Sequence, residues 1–266
     1  MRRYSFTGRG HAACIATALA LWGLGTQPSM SADISVYTSA APAEVEKMLA
    51  AQFTKATGNR ILFTVGTVRE IQKTLAGSGT PDIVVLPAPA LDAPDNAARL
   101  RPGSRIDLAR VGIGIAVRDG APLPDISTVD ALRATLLAAR SIAHPDPLGG
   151  GFAGQQIARV FTRLGIAEVL EPKVTLAYAA VGGVTQVANG EAEIGLFNIS
   201  EILPVRGVTL VGPLVPELQS YITFSAALDV RGLAGEPAAS FLRSLSDAHA
   251  GDAWSTGGFE LVGSAH

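Results

Sequence analysis

Cysteine is almost missing from this chain of 266 residues. Its one cysteine, Cys14, lies inside an apolar N-terminal run, whereas a lipid-anchoring cysteine would stand at the end of such a run. Past Cys14 there is no thiol, which excludes disulfides, a thiol nucleophile and thiolate metal ligands from the rest of the chain. An oxidising compartment permits disulfides without requiring them at this size. Basic runs are missing too, which makes nucleic acid a poor partner. After the N-terminal run no apolar stretch is long enough to span a bilayer, so the chain is not expected to be membrane-inserted. There is no nucleotide P-loop and no His/Cys/Asp cluster with metal-ligand spacing, so neither cofactor nor metal is called for. Internal repeats and low-complexity linkers are absent as well.

The N-terminus is informative. Arg2, Arg3 and Arg9 precede an apolar run over residues 12–24 (AACIATALALWGL), and small residues follow at Ser29, Ser31 and Ala32. Basic, apolar, small is the order of a cleavable export signal, and the run is too short to cross a bilayer. Residues 1–32 are therefore expected to be a signal peptide, with the mature protein in the periplasm. Its removal takes three arginines and no acid, moving the formal charge from −2 to −5. The roughly 234 residues that remain can bury a large core, as one big domain or two lobes.

Strand and helix patterns then alternate. Asp33 to Tyr37 (DISVY) reads as a strand, followed by a helix over 43–57 with Val45, Met48, Leu49 and Phe53 on one face and Gly58 as its stop. Ile61 to Val65 is a strand, Val68, Ile71 and Leu75 space a helix ending at Gly77, and Asp82 to Leu86 (DIVVL) is a buried-type strand. Apolar strands in a βαβαβ start favour a parallel sheet covered on both faces. Val111 to Val117 is the next strand, and Ser127 to Asp130 reads as a capping box opening a helix. Ser141 to Ala143 is a strand, the Gly-rich turn PLGGGF enters a helix to about Leu164, and Glu193 to Phe197 is a strand. Ser220 to Leu228 is a long alternating strand, and Glu236 to Ala250 a closing helix.

The fold class that follows is α/β with two lobes and a ligand cleft between them. Val111–Val117 going out and Ser220–Leu228 coming back serve as the two crossing strands. Residues 33–118 and 209–266 are expected to form lobe 1, and residues 119–208 lobe 2. Ligands of open α/β sheets bind beyond the carboxyl ends of the strands. Four such places stand out: Thr38 and Ser39 after the first strand, Thr67 and Arg69 after the second, His144 with Gly151 and Phe152 after a second-lobe strand, and Asn198 with Ser200 after another. Hydroxyls and glycines at helix starts suit an anion, and equally suit ordinary capping.

The layout resembles the type II periplasmic solute-binding proteins of ABC importers, specifically the molybdate-binding-protein-like group. The stretches that carry it are ISVYTSAAPAEVEKMLAAQFTKATG, TVGTVREIQKTLAGSGTPDIVVLPAPAL, RIDLARVGIGIAVRDGAPLPDISTVDALRATLLAARSIA and NGEAEIGLFNISEILPVRGVTLVGPLVPELQ. The resemblance covers nearly all of the chain past the signal. It implies a monomer that hands a small anion to an ABC permease. In molybdate binders the first two loops present serine hydroxyls. Here the first such position falls at about Ala41 with Ser39 nearby, the second loop reads Gly66-Thr67-Val68-Arg69, and the second-lobe tyrosine is matched by about Asn198. Arginine's planar fork fits a carboxylate, so Arg69 points to an organic di- or tricarboxylate over molybdate, or else to a solvated helix residue pairing with Glu70 or Asp82.

The third and fourth stretches resemble the branch of this superfamily that contains aconitate isomerase. That resemblance implies an alternative function: a cofactor-independent enzyme interconverting trans- and cis-aconitate by allylic proton transfer. His144 is the candidate base by type and place, or a turn residue before Pro145 with no chemistry. Glu70, Asp146, Glu201 and Tyr221 are alternatives.

Overall fold

The computed structural model describes Met1 and residues 31–148, 152–177 and 182–262. The Arg2–Met30 part of the expected signal, Gly151 and the two glycines before it lie outside those residues.

Among the described residues, ten strands form one curled mixed sheet in the order β2-β1-β3-β9-β4-β7-β5-β6, with β8 and β10 paired to β4. They are β1 (Asp33–Ser39), β2 (Arg60–Gly66), β3 (Ile83–Pro87), β4 (Ile106–Arg118), β5 (Ile142–Pro145), β6 (Val174–Ala177), β7 (Ile194–Asn198), β8 (Val208–Pro213), β9 (Tyr221–Leu228) and β10 (Glu260–Leu261). The helices are α1 (Ala43–Thr57), α2 (Val68–Ala76), α3 (Ala88–Leu91), α4 (Pro94–Ala97), α5 (Val129–Ala138), α6 (Phe152–Arg163), α7 (Ala167–Leu170), α8 (Gly182–Ala188), α9 (Ile199–Ile202), α10 (Gly235–Ser244) and α11 (Ala250–Thr256).

Two parallel triplets, β2-β1-β3 and β6-β5-β7, are joined through antiparallel strands. The joint is β4. It pairs with β9 from Ile106 to Gly112, then with β7 from Ile113 to Ala116 and β8 from Gly114 to Arg118. The two-lobed α/β reading holds. The outgoing crossing strand is as expected, but the change of sheet falls at Gly112/Ile113, before the anticipated boundary at 118/119. β9 pairs wholly within the first half-sheet, so the return crossing is the segment between β8 and β9. There the side-chain amide of Gln219 takes Ile113 N–H (2.9 Å) and gives to Ile113 C=O (2.9 Å), standing in for the missing ladder rung. A Cβ at Gly112 would lie 2.8 Å from that amide nitrogen, so the clamp closes only over glycine.

α1 shows how pattern and packing part company. Val45, Leu49 and Phe53 are buried as their spacing requires, and Gly58 ends the helix at φ 78° with its N–H on Thr54 C=O (2.8 Å). Met48, however, is 46% exposed, while Glu46 is fully buried. The helix is turned so that Glu46 meets Thr38 of β1. Two capping expectations also change. The helix α5 is capped by Thr128, whose Oγ1 takes Ala131 N–H (3.0 Å), while Ser127 turns back to Asp125. The reciprocal capping box sits instead at Thr67 and Glu70. The expected C-terminal helix is broken in two because Asp247 Oδ1 takes the N–H groups of His249 (2.9 Å) and Ala250 (3.0 Å) and starts α11 afresh.

Candidate functional site

The parallel strands all end in one place. Ser39, Gly66, Pro87, Pro145, Ala177 and Asn198 are the last residues of β1, β2, β3, β5, β6 and β7, and all six line a single cavity. Its empty volume is about 630 Å³, including its open mouth. Ile222 and Phe224 of β9, together with Phe152 at the start of α6, give it an apolar wall. Ser39, Thr67, Asp146, Asn198 and Glu201 give it polar groups, and no lining residue described is cationic.

Period-two alternation decides which of the expected residues arrive. Thr38 shares a β1 face with Ile34 and Val36, which pack in the same core as Val45, Leu49 and Phe53 of α1. Its Oγ1 therefore meets Glu46 Oε1 (3.2 Å), away from the cavity. Ser39 points to the other face and into the cavity. Asn198 occupies the N-cap position of α9 without capping it. Thr67 reaches the cavity, but its hydroxyl donates to Glu70 Oε2 (3.0 Å) and accepts Glu70 N–H (3.2 Å). Phe152 lines the wall. Gly154 lets α6 come down on the β5 loop, since a Cβ there would collide with the carbonyl of Pro145.

Three more expected residues lie elsewhere. Arg69 is exposed on α2 and donates to Leu148 C=O (2.7 Å), tying the first lobe to the β5–α6 loop outside the cavity lining. Ser200 is buried behind the lining. His144 shares its β5 face with Ile142 and is packed edge-on against Phe161 of α6 at 5.4 Å. Its Nδ1–H donates to Pro145 C=O (2.8 Å), and burial holds the ring below the ordinary imidazole pKa, against the pull of that bond and of Asp146. It does not line the cavity. Of the alternative bases, Glu70 is taken up by its capping box and held below its usual pKa by the Thr67 backbone and hydroxyl. Tyr221 lies under the Arg110 guanidinium at 4.4 Å. Asp146 and Glu201 remain.

Glu201 is the notable one. Part of its side chain is exposed, but Oε2 is buried and without a hydrogen-bond partner. Burial pushes its pKa up to about 7, opposed by hydrogen bonds from Asn198. Ser39 Oγ and Asn198 Oδ1 are also buried and unpartnered, in residues only 4% exposed. Buried polar atoms in native proteins are nearly always satisfied. Among the described residues, three of the six buried side-chain atoms without a partner belong to residues that line this cavity, which makes it the candidate ligand site. No group of three or more metal-ligating side chains converges among the described residues.

Residues 34–260 match the model of a family described as bacterial extracellular solute-binding protein. The chain belongs to that family. It is 30% identical over 219 residues to an aconitate isomerase of a Pseudomonas species, an alignment covering 80% of this chain and 82% of the relative. Its fold is that of the Azotobacter vinelandii periplasmic molybdate-binding protein, at a TM-score of 0.71 with 19% identity over 86% of this chain and 99% of that one. It is also that of Campylobacter jejuni Peb3 bound to L-phospholactate, at a TM-score of 0.68 with 18% identity over 86% and 100%. The type II periplasmic-binding-protein architecture is thereby shown. No helix among the described residues is long and apolar enough to cross a membrane.

Proposed function

We propose that this protein is exported by residues 1–32 and, as a periplasmic monomer, holds a small organic di- or tricarboxylate between its lobes for an ABC permease. The observation that carries this is the meeting of six strand ends at one cavity with orphaned Ser39, Asn198 and Glu201 atoms. Two long helices begin there. The residues leading into α1 line the cavity and its first turn has no side-chain cap; α6 contributes its own first residues. Free N–H groups and the positive end of the helix dipole favour an anion. The lining divides into polar groups from both lobes and an apolar wall of Ile222, Phe224 and Phe152. That division suits carboxylates on a carbon frame. Molybdate would need donors all round, and the Thr67 hydroxyl is already engaged. Titration calorimetry with succinate, citrate, trans-aconitate, sulfate and molybdate tests this: saturable binding of a carboxylate is expected. Molybdate binding alone would overturn it.

The isomerase reading is favoured by the Glu201 carboxyl in the cavity and by similarity to an aconitate isomerase. A carboxyl that titrates near neutrality can take a proton from one allylic carbon and return it to another. NMR of trans-aconitate with the protein in deuterated water should then show cis product and deuterium incorporation. Their absence would remove this reading and leave the binding protein.

A further inference from the structure

We infer that Glu201 makes ligand capture proton-linked: an anion enters the cleft together with a proton on the Glu201 carboxyl, which donates a hydrogen bond to it. This rests on the reading of the cavity as an anion site.

The geometry is specific. An ionised carboxylate has only acceptors to offer, and a carboxylate ligand is also an acceptor. Glu201 lines this space and its Oε2 is buried and unpartnered, so an ionised Glu201 would set two like charges together in a dry site. One proton between them turns repulsion into a short charge-assisted hydrogen bond. Elsewhere such a charge is cancelled by a cation, yet none lines this cavity among the described residues. Arg69, the nearest candidate in sequence, is held on Leu148 C=O.

The surrounding charges do not supply an alternative. Helix α9, which carries Glu201, packs on β4, β7 and β8. β7 and β8 carry no charge. On β4, Arg110 is paired with Glu260, Arg105 beside its start binds Asp92 and Asp107, and Arg118 is at the far end beside Gly190. Of the other acids near the cavity, Asp146 accepts Leu148 N–H (2.8 Å), and Glu70 is bound to Thr67. Burial, which already holds Glu201 near neutrality in the free protein, deepens when a ligand fills the cavity, so its proton affinity rises on binding.

The test is calorimetry of trans-aconitate, citrate, sulfate and molybdate in buffers of different ionisation enthalpy, which counts protons on the unaltered protein. Above the Glu201 pKa, and where the ligand is fully ionised, about one proton should be taken up per ligand, and affinity should fall about tenfold per pH unit. Glu201→Gln should bind with no proton uptake and a flat pH profile. Asp146→Asn should change affinity but keep the proton count. Binding without proton uptake, or uptake surviving Glu201→Gln, or uptake lost in Asp146→Asn, would overturn the inference. Proton-linked binding of sulfate or molybdate alone would uphold it and defeat only the carboxylate reading. Silence from all four anions would defeat both.

Discussion

Ser35 and Ser39 lie on one strand, four residues apart, and live in opposite surroundings. At the start of the parallel strands of lobe 1, Ser35 Oγ donates to Asp82 Oδ2 (2.8 Å) and accepts Asp82 N–H (3.0 Å). Asp82 also takes Ser35 N–H (2.8 Å) and Ala234 N–H (2.7 Å). Beside it, fully buried Asp229 binds Arg99, which reaches the carbonyls of Leu75 (2.5 Å) and Gly79 (2.9 Å). That edge is closed and self-satisfied. At the carboxyl ends, Ser39, Asn198 and Glu201 keep buried atoms with no partner. Buried polar atoms are nearly always satisfied, so three orphans gathered at one edge point to a group that completes them. One edge therefore holds the fold and the other waits for a ligand.

The sharpest way to break this comparison is at Asp229. Asp229→Ala leaves the Arg99 guanidinium, only 10% exposed, without its counter-charge. Breaking such a pair from one side costs about 3–5 kcal/mol. Urea unfolding should show that loss. The ligand profile of whatever folds should stay that of the parent, because the cavity lies at the other end of the sheet. A midpoint within error of the parent would mean that this edge is not the structural one.

The contrast also explains what could be read from the chain beforehand. The parallel strands are continuous apolar runs, so their existence and the two-lobed arrangement are legible in DIVVL and VGIGIAV. The strand β8 gives a weaker signal, because Gly207, Gly212 and Pro213 frame its brief apolar run. For the site, β-strand alternation separates Thr38 from Ser39, and a strand's first and last residues cannot be told apart without its exact end. His144 shows the same limit: type and position suggested chemistry, but its face of β5 packs under α6. Arg69 suggested a carboxylate fork, yet α2 begins with a capping box that carries it along the rim. Glu201 was visible only as one acid among several. Its distinction is burial without a partner, which pairing and packing alone create. Asn198 offered a signal, since an asparagine opening a helix ordinarily caps it, and here it does not.

Glu46 sharpens the comparison, because it is a buried acid behind the cavity with one oxygen on Thr38 and the other unpartnered. Burial raises its pKa from 4.5 to about 8, against the Thr38 bond and the Lys47 charge. The folded protein thus keeps a proton that the unfolded chain releases above its ordinary pKa. The associated stability is full below that value and is lost as pH rises through about 8. Glu46→Gln keeps the neutral form at every pH. It should match the parent below about pH 4.5 and exceed it by on the order of 4–5 kcal/mol above pH ~9. Thermal unfolding of both across that range decides it. Parallel curves would mean that Glu46 is ionised in the fold. Glu201, raised in the same sense, should leave the variant a smaller residual slope.

The smallest effects belong to the two serines themselves, and there the comparison is cleanest. Ser35→Ala removes a hydroxyl that both gives and takes a hydrogen bond, leaving part of the buried Asp82 carboxylate uncovered. That should cost about 1–3 kcal/mol of stability and leave ligand affinity unchanged. Ser39→Ala removes an oxygen that has no partner in the free protein, so stability should move by less than about 0.5 kcal/mol. Once a ligand is bound, the same oxygen completes a hydrogen bond. Its loss should weaken binding by roughly five- to tenfold, which corresponds to about one net bond. The two variants differ only in which end of β1 loses a hydroxyl. If Ser39→Ala were as destabilising as Ser35→Ala and left binding untouched, the orphaned oxygen would be structural and the division between the two edges would fail.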